Sequence, residues 1–211
     1  MCAGHNGVVT ASDTPYQVRR TPTQFRATRQ IERILDAAAL VVVDKGFTAA
    51  TTADIAKAAK VSIGSVYRYF PDKLAVMRAV VERNTLRYQD RVTAEAGVLP
   101  FWHEAVARAY SIYVAMCRTD HGFRAISNAG LAAGELDSTE FDDPLAAGLA
   151  DLLVDRFGFA NTPELRVSVL QAVTIGDVLT RLAFRLDQHG HPDTLAKTAD
   201  MVHDLIAPHA P

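Results

Sequence analysis

"DIAKAAKVSIGSVYRYFPDK", residues 54–73, decides how the rest of the chain is read. The stretch is short, basic and rich in small residues, yet Tyr67, Tyr69 and Phe70 crowd around Arg68 just before Pro71. Ile55, Ala56 and Ala59 give a first short helix its inward face, and Thr51 with Asp54 three residues on is a capping-box start. Ser62 is the N-cap expected of a second helix. Pro71 ends that helix, because the residue before a proline is pushed out of helical space. Asp72 then caps a longer helix towards about Glu95. Two short helices joined by a tight turn have the spacing of a helix-turn-helix, whose second member enters the major groove of DNA.

The second helix lies on a wheel of about 100° per residue. With Val66 inward, Phe70 falls about 40° and Ile63 about 60° away, so all three are expected to face the core. Gly64 and Arg68 point outward, flanked by Ser65 and Tyr67. Such a surface suits a duplex: a glycine admits the bases closely, Ser65 reaches a phosphate or base edge, and Arg68 can pair bidentately with guanine. Tyr67 and Tyr69 can each offer a hydroxyl to a phosphate while the ring packs on protein. Lys73 opens the next helix, where free backbone N–H groups already favour an anion.

Helix pairs and aromatic helix ends are also ordinary core features, and the charge distribution separates the two readings. From Tyr16 to Arg91, 14 Lys and Arg stand against 7 Asp and Glu; from Val92 onward 8 stand against 16, although the whole chain carries a formal net charge of only −2. A basic amino-terminal part joined to an acidic remainder fits a module that faces a polyanion.

At 211 residues and 49% hydrophobic, the chain is expected to bury a substantial core. Alternating apolar-polar runs are scarce, so the expected fold is all-α, a three-helix helix-turn-helix domain followed by a larger helical domain. The division is 1–26 as a mobile basic tail, 27–73 as the DNA-binding domain, 74–95 as a connecting helix and 96–211 as an effector-binding and dimerisation domain. The first helix is expected over about Thr28 to Lys45, ended by Gly46 at C′. Others are expected at about Phe101 to Arg118, Gly122 to Ala129, Asp143 to Phe157, Thr162 to Leu186 and Thr194 to Ile206. No uninterrupted apolar run approaches membrane-spanning length, and the amino end lacks a secretory pattern, so no membrane partner and a cytoplasmic location are expected. Cys2 and Cys117 sit in unrelated contexts and suggest no disulfide framework.

The segment "ILDAAALVVVDKGFTAATTADIAKAAKVSIGSVYRYFPDKLAVM" resembles the DNA-binding domain of the TetR family of bacterial transcriptional regulators. The resemblance runs from about Arg26 to Val81. Its elements are Gly46-Phe47, Thr51-Thr52, Ile55-Ala56, Val61-Ser62, Gly64, Val66-Tyr67, Tyr69-Phe70 and Asp72-Lys73. It implies a homodimer that reads a palindromic double-stranded operator, usually to repress, with a small-molecule effector. It further implies phosphate contacts at Thr51, Thr52, Ser62, Ser65, Tyr67, Tyr69 and Lys73, and base reading by the outward positions of the second helix. Two positions depart from the pattern. Lys60 stands where the turn usually holds glycine, which reshapes the turn or adds a phosphate contact. Ala53 stands where a base-reading basic residue is sometimes found, so readout leans on Arg68, with Ile63 a thymine-methyl contact if the wheel is turned by one residue.

The remainder carries fainter signals. Thr162 to Leu186 is apolar well beyond one stripe, as for a helix buried once in its own core and once by a partner. With 194–206 it is expected to form the homodimer interface, Gly176 permitting close approach. An apolar effector pocket is expected from Trp102, Tyr110, Tyr113, Met116 and Phe123, with His103, Asn128, Gln171 or Arg181 as polar contacts. His189/His191 and Cys117/His121 are weak metal or dyad spacings, and no phosphate loop or nucleophile elbow is present. Neither an enzyme, a cofactor nor a metal is therefore expected. The competing reading is a helical ligand or metal sensor, or an activator, whose body answers to no small-molecule inducer.

Overall fold

The computed structural model describes residues 22–120 and 139–211. Among them the elements are α1 (Pro22–Lys45), α2 (Thr52–Ala58), α3 (Ile63–Tyr67), α4 (Lys73–Glu95), α5 (Trp102–Thr119), α6 (Thr139–Phe157), α7 (Pro163–Leu186) and α8 (Pro192–Ile206), then a 3-10 turn at Ala207–His209. No strand occurs among the described residues. The fold is all-α, and the helix expected at Gly122 to Ala129 lies outside the described residues.

Side-chain caps set the borders of the amino-terminal helices. Thr51 and Asp54 close both halves of a capping box on α2, Ser62 Oγ accepts the Ser65 N–H at 3.2 Å on α3, and Asp72 Oδ1 accepts the Ala75 N–H at 2.7 Å on α4. Gly46 ends α1 with φ +82°, the left-handed geometry that glycine takes without a Cβ clash. Three borders differ from expectation. α1 starts at Pro22, six residues before Thr28, because proline at the first helical position gives up only an N–H that would be unpaired anyway. Residues 22–26 of the expected tail are thus helical. α6 starts at Thr139 and runs through Pro144. α3 stops at Tyr67, although the Arg68, Tyr69 and Phe70 N–H groups continue the winding onto Gly64 and Val66 carbonyls at 2.9–3.1 Å.

Apolar residues of α1 to α4 share one core: Ile34, Leu35, Val42, Phe47, Ile55, Val66, Phe70, Met77 and Val80 are buried together. A second body of core joins α5 to α8 through Leu153, Phe159, Leu165, Val169 and Ile206, adjoined by Ile112, Met116 and Phe184. α4 belongs to both, giving Val76, Met77 and Val80 to the first and Tyr88 and Val92 to the second. Between them lies Asn84, 3% exposed, whose side-chain oxygen has no hydrogen-bond partner among the described residues.

Candidate nucleic-acid interface

The geometry of α3 follows from two buried anchors. Val66 is fully buried and Phe70 nearly so, which turns Gly64, Tyr67 and Arg68 into solvent. Ser65 is half-buried beside them. One wheel position is corrected: Ile63, expected inward, is 46% exposed. The wheel gives direction but not depth. At the first helical position the Cβ leans off the amino end of the helix, past the partners that enclose Val66.

Several of the expected contact groups already have partners within the protomer. Thr51 Oγ1 accepts the Asp54 N–H at 3.1 Å and donates to Asp54 Oδ2 at 2.7 Å. Ser62 and Ser65 share a hydroxyl–hydroxyl bond of 2.9 Å. Each hydroxyl keeps spare capacity, since it has one donor and two acceptor lone pairs. Tyr69 packs on the first core and its hydroxyl donates to Gln30 at 3.4 Å. The Lys73 ammonium donates to Phe47 O at 3.1 Å and lies 5.0 Å from the centre of the Phe47 ring, so it secures the end of α1 as well as opening α4. Thr52, expected as a phosphate contact, is only 9% exposed and belongs to the buried set of α2. It shares the inward face of α2 with Ile55 and Ala56, three and four residues further on. Tyr67 and Arg68 make no side-chain hydrogen bond or ion pair among the described residues, and Tyr67 is 52% exposed.

Lys60 adopts φ +55°, the one positive value among the non-glycine described residues. The turn therefore keeps its shape, and lysine takes the left-handed conformation that glycine would have taken. Behind it Arg33 of α1 donates to Ala59 O at 2.6 Å.

Ties of this kind escape sequence reading, and they hold the module together. The Lys45 ammonium donates to Asp54 Oδ1 at 2.5 Å, joining the end of α1 to α2. With the Thr51 hydroxyl it holds the Asp54 carboxyl down at about 2. Arg83 donates to Glu32 at 3.1 Å and Asp36 at 2.8 Å, and Arg87 donates to Glu32 at 3.3 Å, clamping α1 to α4. The signal was present as two acids four apart on α1 and two arginines four apart on α4, complementary faces that only the fold brings together. These pairs also neutralise part of the basic excess, leaving exposed Lys57, Lys60 and Arg68 as the cations nearest the α3 surface in sequence.

In the body, the expected pocket residues divide. Tyr110 shares a 2.9 Å hydroxyl bond with Thr180, Tyr113 donates to Asp177 at 2.6 Å, and Asp177 pairs with Arg181 at 2.8 Å; Met116 is buried nearby on α5. Burial, and then the Asp177 carboxylate, push the Tyr113 phenol well up, so it stays protonated and donates. Trp102 stacks on His203 with ring centres 5.1 Å apart and meets Phe159 edge-on. Two polar residues are corrected. His103 is exposed and stacks on Phe101, and Gln171 lies on the exposed face of α7 beside Val167, Thr174 and Val178. A helix apolar on several faces gives a wheel no single inward direction, which is why Gln171 was misplaced. Phe123 and Asn128 lie outside the described residues. Gly176 faces Val202 of α8 in the same protomer, where an added Cβ would lie 3.6 Å from Val202 Cγ2, an ordinary contact, so this packing does not require its smallness. By length and composition α7 is apolar enough to cross a membrane, yet only 33% of that stretch is buried within the protomer.

The amino-terminal module and its outward α3 face define a helix-turn-helix protein. Residues 34–80 match the family of bacterial regulatory proteins called the tetR family. The crystal structure of a TetR-family transcriptional regulator from Streptomyces coelicolor is 31% identical, superposes with a TM-score of 0.74 and is matched over 85% of this chain and 99% of that one. The chain belongs to the TetR family of bacterial transcriptional regulators. It is 36% identical over 88 residues to the uncharacterized HTH-type transcriptional regulator TtgW of Pseudomonas putida, a match covering 42% of this chain and 64% of that relative. The transcriptional regulator FadR of Bacillus subtilis, solved in complex with stearoyl-CoA, shares the fold at 18% identity and a TM-score of 0.66, over 83% of this chain and 97% of that one.

Proposed function

We propose that this chain represses transcription as a homodimer bound to a palindromic operator, and that a small apolar ligand in the body releases it. The carrying observation is Gly64. A glycine within a helix costs about 1 kcal/mol relative to alanine. Here the fold gives no return for it, since φ is not left-handed and an added Cβ would meet nothing nearer than Ser62 Oγ at 4.0 Å. A duplex pressed against α3 supplies the missing reason, because its bases then approach the backbone.

In this reading Arg68 reads a base edge and exposed Ile63 meets a thymine methyl. Thr51, Ser62, Ser65, Tyr67, Tyr69 and Lys73 bond phosphates, while Thr52 is left to the core. The two copies meet through α7 and α8, where Val167, Val178, Leu186 and Met201 leave apolar surface in solvent. FadR's stearoyl-CoA supports a body of this fold accepting an apolar chain. Tyr110, Tyr113, Met116 and Arg181 are the proposed contacts, with Trp102 at the edge of the same core. The ligand shifts the equilibrium only by its differential affinity for the two dimer states. α4 and its Arg83 clamp on α1 carry the change to the reading heads. Such a protein works in the cytoplasm, where the chromosome is.

Nuclease protection on DNA upstream of the chain's own gene tests this reading. A two-fold-symmetric protected site that disappears with fatty acyl compounds is expected. Absence of any protected site there or elsewhere on the chromosome overturns the operator, and protection indifferent to every small molecule overturns ligand release.

A further inference from the structure

We infer that Lys60 is a phosphate contact for duplex DNA, which rests on the DNA reading above and adds to it a residue set against the fold's own preference. Lys60 occupies C′ of α2, where Lys60 N–H donates to Lys57 O at 3.2 Å and Val61 N–H to Ala56 O at 3.0 Å. This paired closure of a helix end requires a left-handed residue. Glycine adopts it freely, whereas any side chain brings its Cβ against the following carbonyl. Lys60 nonetheless takes φ +55°, held there by the Arg33 bond to Ala59 O at 2.6 Å.

Among the described residues nothing rewards a lysine at this place. Its side chain is exposed, and its ammonium meets no carboxylate or carbonyl among the described residues. Lys45 and Lys73 show the contrast, each with its ammonium on an oxygen of the same module. The turn that holds Lys60 is fixed by these three bonds, one of them from its own N–H, while its side-chain tip meets no partner among the described residues. Its turn leads directly into Ser62 and α3, on the edge that also carries exposed Lys57. A hydrated point charge on a four-carbon stem, anchored beside the reading helix, suits a phosphate oxygen and carries no base preference.

The test titrates the full chain with two duplexes, one of random sequence and one from upstream of its own gene, from about 50 to 200 mM salt. Lys60→Asn keeps a residue tolerant of the left-handed region and removes the charge; Lys60→Arg keeps the charge. Lys60→Asn is expected to weaken both duplexes by the same factor, about three- to tenfold, and to reduce the slope of log affinity against log salt by about 0.9. Lys60→Arg should retain the wild-type slope, and Lys60→Gly should bind like Lys60→Asn while melting at a higher temperature. Wild-type binding with an unchanged Lys60→Asn slope overturns the Lys60 inference alone, as does an Arg variant that loses the slope. Wild-type protein without salt-dependent affinity for either duplex overturns the DNA reading and this inference together.

Discussion

Two exposed faces of the molecule, that of α3 and that of α7 with α8, are unfinished in opposite ways. On α3, among the described residues, the side chains without a partner are a guanidinium and a phenol, beside the bare Gly64. On α7 and α8 they are Val167, Val178, Leu186 and Met201. A face that lacks charge partners invites a polyanion, and one that lacks apolar cover invites another apolar face. The helix ends differ too. α2, α3 and α4 each begin with a side-chain cap, whereas in the body Thr162 caps α7 but α5 and α8 begin at Phe101 and His191 with none. The reading module is specified locally, and most of the body by packing.

The contrast can be broken by exchanging what each face lacks. The largest effect is expected from Val178→Asp, which places two facing charges in the proposed dimer interface at a cost of several kcal/mol. Sedimentation should show a monomer at micromolar concentration, and operator affinity should fall about a hundredfold or more. An intact dimer would show that this face is not the contact. Next, Arg68→Ala should cost about 1–3 kcal/mol of operator binding and relax preference at one base pair, while Lys73→Ala weakens all sequences alike. Selection from a randomised duplex pool distinguishes them.

Gly64→Ala sharpens the comparison because stability and binding should move in opposite directions. Folding should gain up to about 1 kcal/mol in chemical denaturation while operator affinity drops. A variant both more stable and equally tight in binding would leave Gly64 without a function. The smallest effect concerns the Asp54 tie. Its carboxyl is depressed from 3.8 to about 2 in the folded chain, so its contribution is full above the unfolded value and is lost as pH falls from about 4 towards 2. Wild type should therefore be the more stable of it and Asp54→Asn at neutral pH, with the difference closing across that window in acid denaturation.

What was legible in the sequence followed the range of the interaction. Thr51, Ser62, Asp72 and Thr162 cap groups three residues away, and each was readable from composition and spacing. Gly46 marked the end of α1 for the same local reason. The depth of Ile63 was not readable, because depth depends on where neighbouring helices stop. Arg33 on the α2 carbonyl and Arg83 on Glu32 and Asp36 join residues 26 and 47–51 positions apart, beyond any local pattern. In the body, α7 is apolar on several sides, so no periodicity said which side faced inward, and Gln171 was assigned to the wrong one. The turn at Lys60 shows a third case: position and residue were both visible, but only the backbone reveals that lysine conforms to the turn.

Asn84 has a consequence for stability. An amide oxygen without a partner forfeits about 1–3 kcal/mol at the one stretch of α4 that neither apolar cluster fully owns. That leaves an unmet polar group on α4 where the two apolar clusters adjoin, inside an otherwise apolar surround. Asn84→Leu, which replaces that amide with an apolar side chain, should therefore raise the melting temperature in calorimetry.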